Sequence, residues 1–533
     1  MMIQQLSTKD TWSSSKRLEG WGIAAIVKSF AISGVDGYLV EVEAETIYGQ
    51  PSVSIVGLGD MAVKEAKERL QAALNGPRFK FPKMKVVINL APGDIKKSGS
   101  HFDLAMAVSL LVCSEQLEAE QLDSFAFIGE LSLDARLRPC AGVLPMAMAA
   151  KDMGIPSLIV PVENLQEASL VKGINVVGFG SLQEVYALLT GEATYSTAPI
   201  ENHSRQVEPN VSDFRDVQGQ DAVLEFITVA AAGGHNMLMI GSPGCGKSMI
   251  AKRIPGILPT LSEEEALEIT KIYSVAGLLR SRGRLIETRP FRSPHHNAST
   301  NSLIGGGYNA TPGEISLAHN GILFLDEIAE FSKRTLDALR QPMEDRQVTI
   351  SRVRTNNTYP CNFMMIAAMN PCPCGYYGHD RCRCTDYEVL KYRQKISGPI
   401  LDRIDIQKYV QPVDFLKLHL QQGTHNSQEL QERVERARRI QRVRFHGAKN
   451  IHCNAQMEVA EIKDFCVLES EGEKLLHRAF DRFSYSARSY HKFLRVARTF
   501  ADLEASRQIR KEDVAAALMC RDLDREQMEL LVI

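Results

Sequence analysis

Cysteine is scarce in this chain, 11 among 533 residues, and tryptophan scarcer still, at two. Thinly spread thiols exclude a disulfide-stapled secreted scaffold and fit a reducing compartment, so a cytoplasmic protein is expected. No apolar run approaches the roughly 18 residues that a membrane-spanning helix needs, which leaves membranes out of the expected partners. The opening "MMIQQLSTKDTWSSSKRLEG" has no apolar core and does not read as a secretory signal. Charge of one sign is missing as well: 62 Lys and Arg stand against 64 Asp and Glu, a net charge of −2. Contact with nucleic acid must then come from a local patch. What is present is an ordinary globular composition, 44% hydrophobic and 24% charged. The length implies several domains, because single cores stop growing near roughly 250–300 residues.

The chain reads in five parts. Residues 1–22 form a polar leader, expected to be disordered. Over 23–190 short β-type runs alternate with helical ones: "VVINLAPGD" reads as a strand and turn, "HFDLAMAVSLLV" as a helix, "PSLIVP" as a strand. Residues 191–213 are polar, proline-bearing and aperiodic, a linker. Over 214–412 the α/β pattern returns, and 413–533 carry apolar residues at helical spacing.

"NMLMIGSPGCGKSMIAKRI" is a strand, a glycine loop and a helix in succession. Gly241, Ser242, Pro243, Gly244, Cys245, Gly246, Lys247 and Ser248 spell G-x-x-x-x-G-K-S in the context that confirms a P-loop. Its glycines let backbone N–H groups face phosphate oxygens, and the helix start adds its dipole. Lys247 is expected to reach the β/γ-phosphates of ATP and Ser248 to bind Mg²⁺. "GILFLDEIAEF" is a buried strand ending in Asp326, a carboxylate for the Mg²⁺ shell, and Glu327, which would polarise the attacking water. "FMMIAAMN" ends in Asn370, an amide placed to orient that water; the blander alternative is a turn residue before Pro371.

This order of motifs, followed by "GPILDRID", resembles an AAA+ ATPase. More narrowly, "PHHNASTNSLIGGG", "PGEISLAHNGILFLDEIAEF", "NPCPCG" and "SARSYHKFLRVARTFADL" resemble the ComM/YifB family of magnesium-chelatase-like AAA+ proteins, over residues 23 to 525. That resemblance implies a Lon-protease-like α+β domain, an AAA+ α/β domain and a helical lid. It makes Arg403 the arginine finger that reaches a neighbouring subunit's nucleotide, and Arg488 the sensor-2 arginine of the lid. A planar, permanently charged guanidinium suits transition-state phosphate oxygens; the alternative for each arginine is a surface ion pair.

Four of the 11 cysteines crowd into thirteen positions, Cys372, Cys374, Cys382 and Cys384, as C-x-C-x7-C-x-C. Four thiolates close a tetrahedral zinc site with no open position, a structural arrangement. His379 is a possible substitute ligand. Free thiols in a loop, a redox switch and an iron–sulfur cluster are the competing readings.

"KKSGSHFDLAMAVSLL" and "GELSLDARLRPCAGVLPMAMAAKDMGIPSLIVP" resemble the Lon protease domain and its Ser-Lys dyad, yet His101 falls at the serine and Met146 at the lysine. No peptidase is expected, with Ser98 or Ser100 as the residual shifted nucleophile.

"QVTISRVRTNNTYPCNFMMI" reads as a hairpin turning at Asn356-Asn357, with Arg352 and Arg354 near its tip. Related helicases such as the MCM proteins project a hairpin from this place into a ring's pore, where a basic tip tracks phosphates. Arg292, His295 and His296 form a second loop candidate. Arg436, Arg438, Arg439, Arg442 and Arg444 make one helix basic, which a solvated face also explains.

The P-loop motifs point to an ATPase, and the resemblance implies that it is an ATP-driven motor for single-stranded and branched DNA. The resemblance implies a hexameric branch-migration helicase, stabilised by ATP or DNA, that serves recombination in natural transformation. The alternative is a chelatase-I-like ATPase that remodels a partner protein.

Overall fold

The computed structural model describes residues 25–75, 78–193, 212–279, 284–307, 310–352, 355–412, 425–448, 451–483 and 485–523. The leader, residues 194–211 of the linker and Arg354 lie outside these residues. Two compact units emerge: Met1–Ala31, Tyr38–Cys140 and Ala147–Ala198 make the first, and the rest of the chain makes the second.

The first unit is built on a seven-stranded mixed sheet, in the order Ser52–Val56, Lys85–Ala91, Asp36–Ile47, Ala25–Ser33, Phe125–Phe127, Ser157–Pro161, Asn175–Phe179. Lys85–Ala91 shows why one face of this sheet is covered: Val86, Ile88 and Leu90 alternate with less buried neighbours and point to one side. Helix Met61–Leu74 starts at Asp60, whose carboxylate accepts from the Val63 N–H. Helix Asp103–Cys113, "DLAMAVSLLVC", is buried on every face, as a helix with so few polar residues must be.

The second unit carries a five-stranded parallel sheet, ordered Phe291–Arg292, Ile322–Leu325, Met364–Met369, Met237–Ile240, Ile406–Tyr409. Its three inner strands are continuous apolar runs, buried at every residue, because helices cover both faces. Helix Asp221–Gly233 lies on one face. Helices Ser427–Arg444 and Ala487–Leu503 pack against it, and Lys511–Leu518 against the latter.

The hairpin forms, with a different turn. Gln347–Arg352 pairs with Thr355–Pro360, and the ladder closes at Arg352↔Thr355. Asn356 and Asn357 therefore sit inside the return strand, opposite Ser351 and Ile350. Tyr359 is buried with its hydroxyl on the Ala310 carbonyl at 2.8 Å, and Asn357 reaches the same oxygen at 3.5 Å. Those anchors fix the register and override the turn preference of the Asn pair.

Candidate functional site

Parallel pairing explains how distant motifs meet. Ile240 lies opposite Met369, and Leu325 opposite Ala367. The residues that follow, Gly241, Asp326 and Asn370, thus emerge at the carboxyl edge of the sheet, where open parallel sheets bind ligands. In the loop Gly244 and Gly246 have φ of +81° and +94°, which turns successive N–H groups inward at no steric cost. Lys247 Nζ donates to the carbonyls of Gly241 (2.7 Å) and Ser242 (3.0 Å) and lies 3.4 Å from Asn370 Oδ1. Ser248 Oγ donates to Asp326 Oδ2 at 2.7 Å. A hydroxyl and a carboxylate held together beside an ammonium fit the oxygen-seeking Mg²⁺ and a triphosphate.

Glu327 follows with φ 49° and ψ 47°, a left-handed backbone that non-glycine residues adopt at a cost and that recurs at functional sites. Its N–H is tied to Asp326 Oδ1 at 3.0 Å, and its side chain is free to face solvent. His296 Nδ1 approaches Glu327 Oε2 to 3.7 Å, and the His295 ring lies beside the His296 ring, tilted by 34° with centroids 4.1 Å apart. This neighbour of the Glu327 carboxylate was not apparent in the sequence. Arg292, by contrast, is committed to Glu314 through bonds of 2.6 and 2.8 Å, which withdraws it from the loop candidates.

Arg403 and Arg488 come together, at a place that contains no P-loop residue. Both donate to one oxygen, Glu344 Oε1, at 2.7 and 2.6 Å, in a cleft of about 300 Å³ that Arg346, Lys492 and Arg495 also line. Arg403 Nη1 donates to the Pro399 carbonyl at 2.7 Å, and its Nε is buried without a hydrogen bond. The helix Ser427–Arg444 spends part of its positive charge internally: Arg444 pairs with the buried Asp502 at 2.5 Å and Arg438 caps the Ala231 carbonyl at 3.2 Å. Arg436, Arg439 and Arg442 stay exposed.

The four thiols form one cluster, all sulfurs within 4.8 Å of one another, and no other such group of potential metal ligands occurs among the described residues. Cys372–Cys374, Cys372–Cys382 and Cys374–Cys382 are separated by 3.3, 3.8 and 3.7 Å. A tetrahedron with Zn–S bonds of about 2.3 Å has edges of about 3.8 Å, so the donor set fits zinc. Backbone N–H groups of Arg383 and Tyr376 hold the Cys374 thiol down to about 6. His379 stands outside the cluster, its Nδ1 accepting from the Arg381 N–H at 3.2 Å.

Around His101, in the first unit, neither Ser98 nor Ser100 is paired with Lys97. Ser100 Oγ is bonded to Glu130 Oε2, Lys97 is buried against the Pro92 carbonyl, Ser98 is exposed, and Met146 is buried in helix Val143–Asp152. His101 is buried with Nε2 unpartnered, and desolvation brings its pKa from 6.5 to about 4, against the pull of Asp60. The unfolded chain takes up this proton first, so the unit should lose stability as pH falls from about 6.5 towards 4. The loss should approach about 3 kcal/mol. Urea unfolding of the full chain, read by proteolysis within residues 25–193, should show this loss, and His101→Gln should flatten it.

Fold and P-loop edge define an AAA+ ATPase of the magnesium-chelatase type joined to a Lon-like unit. Family models agree: magnesium chelatase, subunit ChlI, matches residues 213–418, subunit ChlI of Mg-chelatase 41–164, and the subunit ChlI C-terminal model 424–521. The YifB protein of Salmonella typhimurium is 40% identical over 503 residues, covering 94% of this chain and 97% of the relative. The competence protein ComM of Haemophilus influenzae is 39% identical over 508 residues, 94% of this chain and 98% of its own. Lon protease 2 of Bacillus subtilis is 28% identical over 179 residues, 30% of this chain and 32% of the protease. The chain belongs to the YifB/ComM family. No helix among the described residues is long and apolar enough to cross a membrane.

Proposed function

We propose that the protein is an ATP-driven DNA motor that assembles into a hexameric ring and migrates branched DNA while an incoming strand is integrated during transformation. The observation that carries the reading is the pair Arg403 and Arg488, gathered on Glu344 in a cleft apart from their own P-loop. Arginines so placed serve hydrolysis only when a second copy brings its nucleotide to them, which calls for a ring. Support for DNA as the substrate comes from the competence name of the Haemophilus relative and from the hairpin, whose ladder ends at Arg352. ATP and Mg²⁺ would be held by Gly241–Ser248 and Asp326, and zinc by the four cysteines in a structural role. Glu327 and Asn370 would position the water.

The chelatase-like alternative, remodelling of a protein partner, draws on the family models over 213–418 and 424–521. ATP-dependent strand movement on a synthetic three- or four-way junction separates the two. The protein should move the junction, and binding should weaken steeply with salt while showing little base preference. Arg352→Ala with Arg354→Ala should abolish DNA-stimulated hydrolysis. A ring that hydrolyses ATP but moves no junction and unwinds no fork removes the motor reading.

A further inference from the structure

The knuckle that carries the thiols touches the nucleotide loop at two points. Asn370, two residues before Cys372, approaches Lys247 with its Oδ1 at 3.4 Å. Gly375, directly after Cys374, lies against Pro243: a Cβ there would stand 2.6 Å from Pro243 Cδ and 2.8 Å from Cγ. Gly375 also has φ +85°, and its N–H donates to the Cys372 carbonyl at 3.0 Å, closing the turn that holds the first two thiols. Only glycine meets both the left-handed backbone and the close approach. The stretch from Asn370 to Gly375 thus brackets two thiols between two P-loop contacts. Behind it, Arg393 donates to the Pro371 carbonyl at 3.4 Å and lies over the Tyr377 ring at 5.2 Å.

Residues 372–384 contain no helix or strand, and of the four thiols only that of Cys372 is buried. A segment this short, without a ladder or a core of its own, takes its shape from cross-links, and a thiolate-bound metal supplies them. We propose that a divalent metal held by Cys372, Cys374, Cys382 and Cys384 sets the shape of the P-loop through Gly375 and Asn370, so that nucleotide affinity depends on metal occupancy. The inference rests on the zinc reading above and extends it from stiffening to control: loss of the metal would disengage the motor at the nucleotide-binding step. Coupling of this kind is reciprocal, so bound nucleotide must hold the metal more tightly by the same factor.

The test uses the full chain and equilibrium binding of a fluorescent, slowly hydrolysed ATP analogue, a readout that does not need turnover. Removal of zinc by a chelator should weaken binding at least tenfold, and added zinc should restore it. Zinc release should be suppressed by saturating nucleotide to the same extent. Gly375→Ala leaves all four thiols in place; it should keep about one zinc per chain and still bind the analogue at least tenfold more weakly, with no recovery on adding zinc. If that variant does not fold, the metal-removal arm decides alone. A wild-type chain that holds zinc and loses it with unchanged nucleotide affinity overturns the coupling and leaves the site. A wild-type chain that holds no zinc overturns both.

Discussion

Glu327→Gln should lower ATP hydrolysis by about 100-fold or more while ATP and DNA remain bound, because a positioned general base is worth about 10²–10⁴ in rate. The proposed mechanism gives this role to Glu327 and not to its neighbour. Asp326 is already engaged by Ser248 at 2.7 Å, whereas Glu327 stands beyond the strand on a left-handed residue with its carboxylate accessible. Glutamine keeps the shape and the hydrogen-bonding reach and loses only the ability to take a proton. Single-turnover hydrolysis and analogue binding, measured on the same preparation, check it. A variant whose turnover stays within a few-fold of the wild type would mean that another group polarises the water.

Arg403→Ala should cost about 10³-fold or more in hydrolysis, the range an arginine finger supplies. Mixed with Lys247→Ala protein, it should regain activity, since some junctions in a mixed ring then join an intact P-loop to an intact arginine. Glu344 allows a sharper version. Because Arg403 and Arg488 share its Oε1, both are expected to serve the neighbour's nucleotide from one side of the same junction. Arg403→Ala and Arg488→Ala should then fail to rescue each other, since every junction in the mixture lacks one of the two. Recovery in that mixture would place Arg488 over its own nucleotide. Hydrolysis measured across mixing ratios distinguishes these outcomes.

The parts of the site legible from the sequence are those whose chemistry is written locally. The loop from Gly241 to Ser248 states its own turn and its own ligands, and the apolar strands before Asp326 and Asn370 announce where those residues emerge. Parallel pairing did the rest. The four thiols are legible for the same reason, being crowded into one segment. What the sequence hides is partnership across distance. Glu344 lies 144 positions from Arg488, and nothing around "QPMEDR" marks it as the carboxylate that gathers two arginines. Gly375 looks like a turn glycine until Pro243 is found against it. Arg292 looked available because its partner, Glu314, lies 22 positions further on, past helix Thr300–Ile304. The Asn356-Asn357 error has another origin: local turn preference is weak beside a buried Tyr359 that pins the strand.

The packing of helix Asp221–Gly233 decides how divisible this enzyme is. One side of that helix faces the parallel sheet, and the other is covered by Ser427–Arg444 and Ala487–Leu503. Its last carbonyls, the groups a helix cannot satisfy by itself, are taken by Arg438 at Ala231 and by Gln441 at Ala232, each at 3.2 Å. Just beyond its end the buried His235 spans from Asp405 to Thr499. A chain cut after residue 412 would keep the P-loop, Asp326, Glu327 and Asn370 and still be no smaller ATPase. It would carry a helix stripped on one flank, with open carbonyls and a histidine that has lost its threonine. The catalytic edge and the helical layer are one object, and evolution could not have tuned the first without carrying the second along.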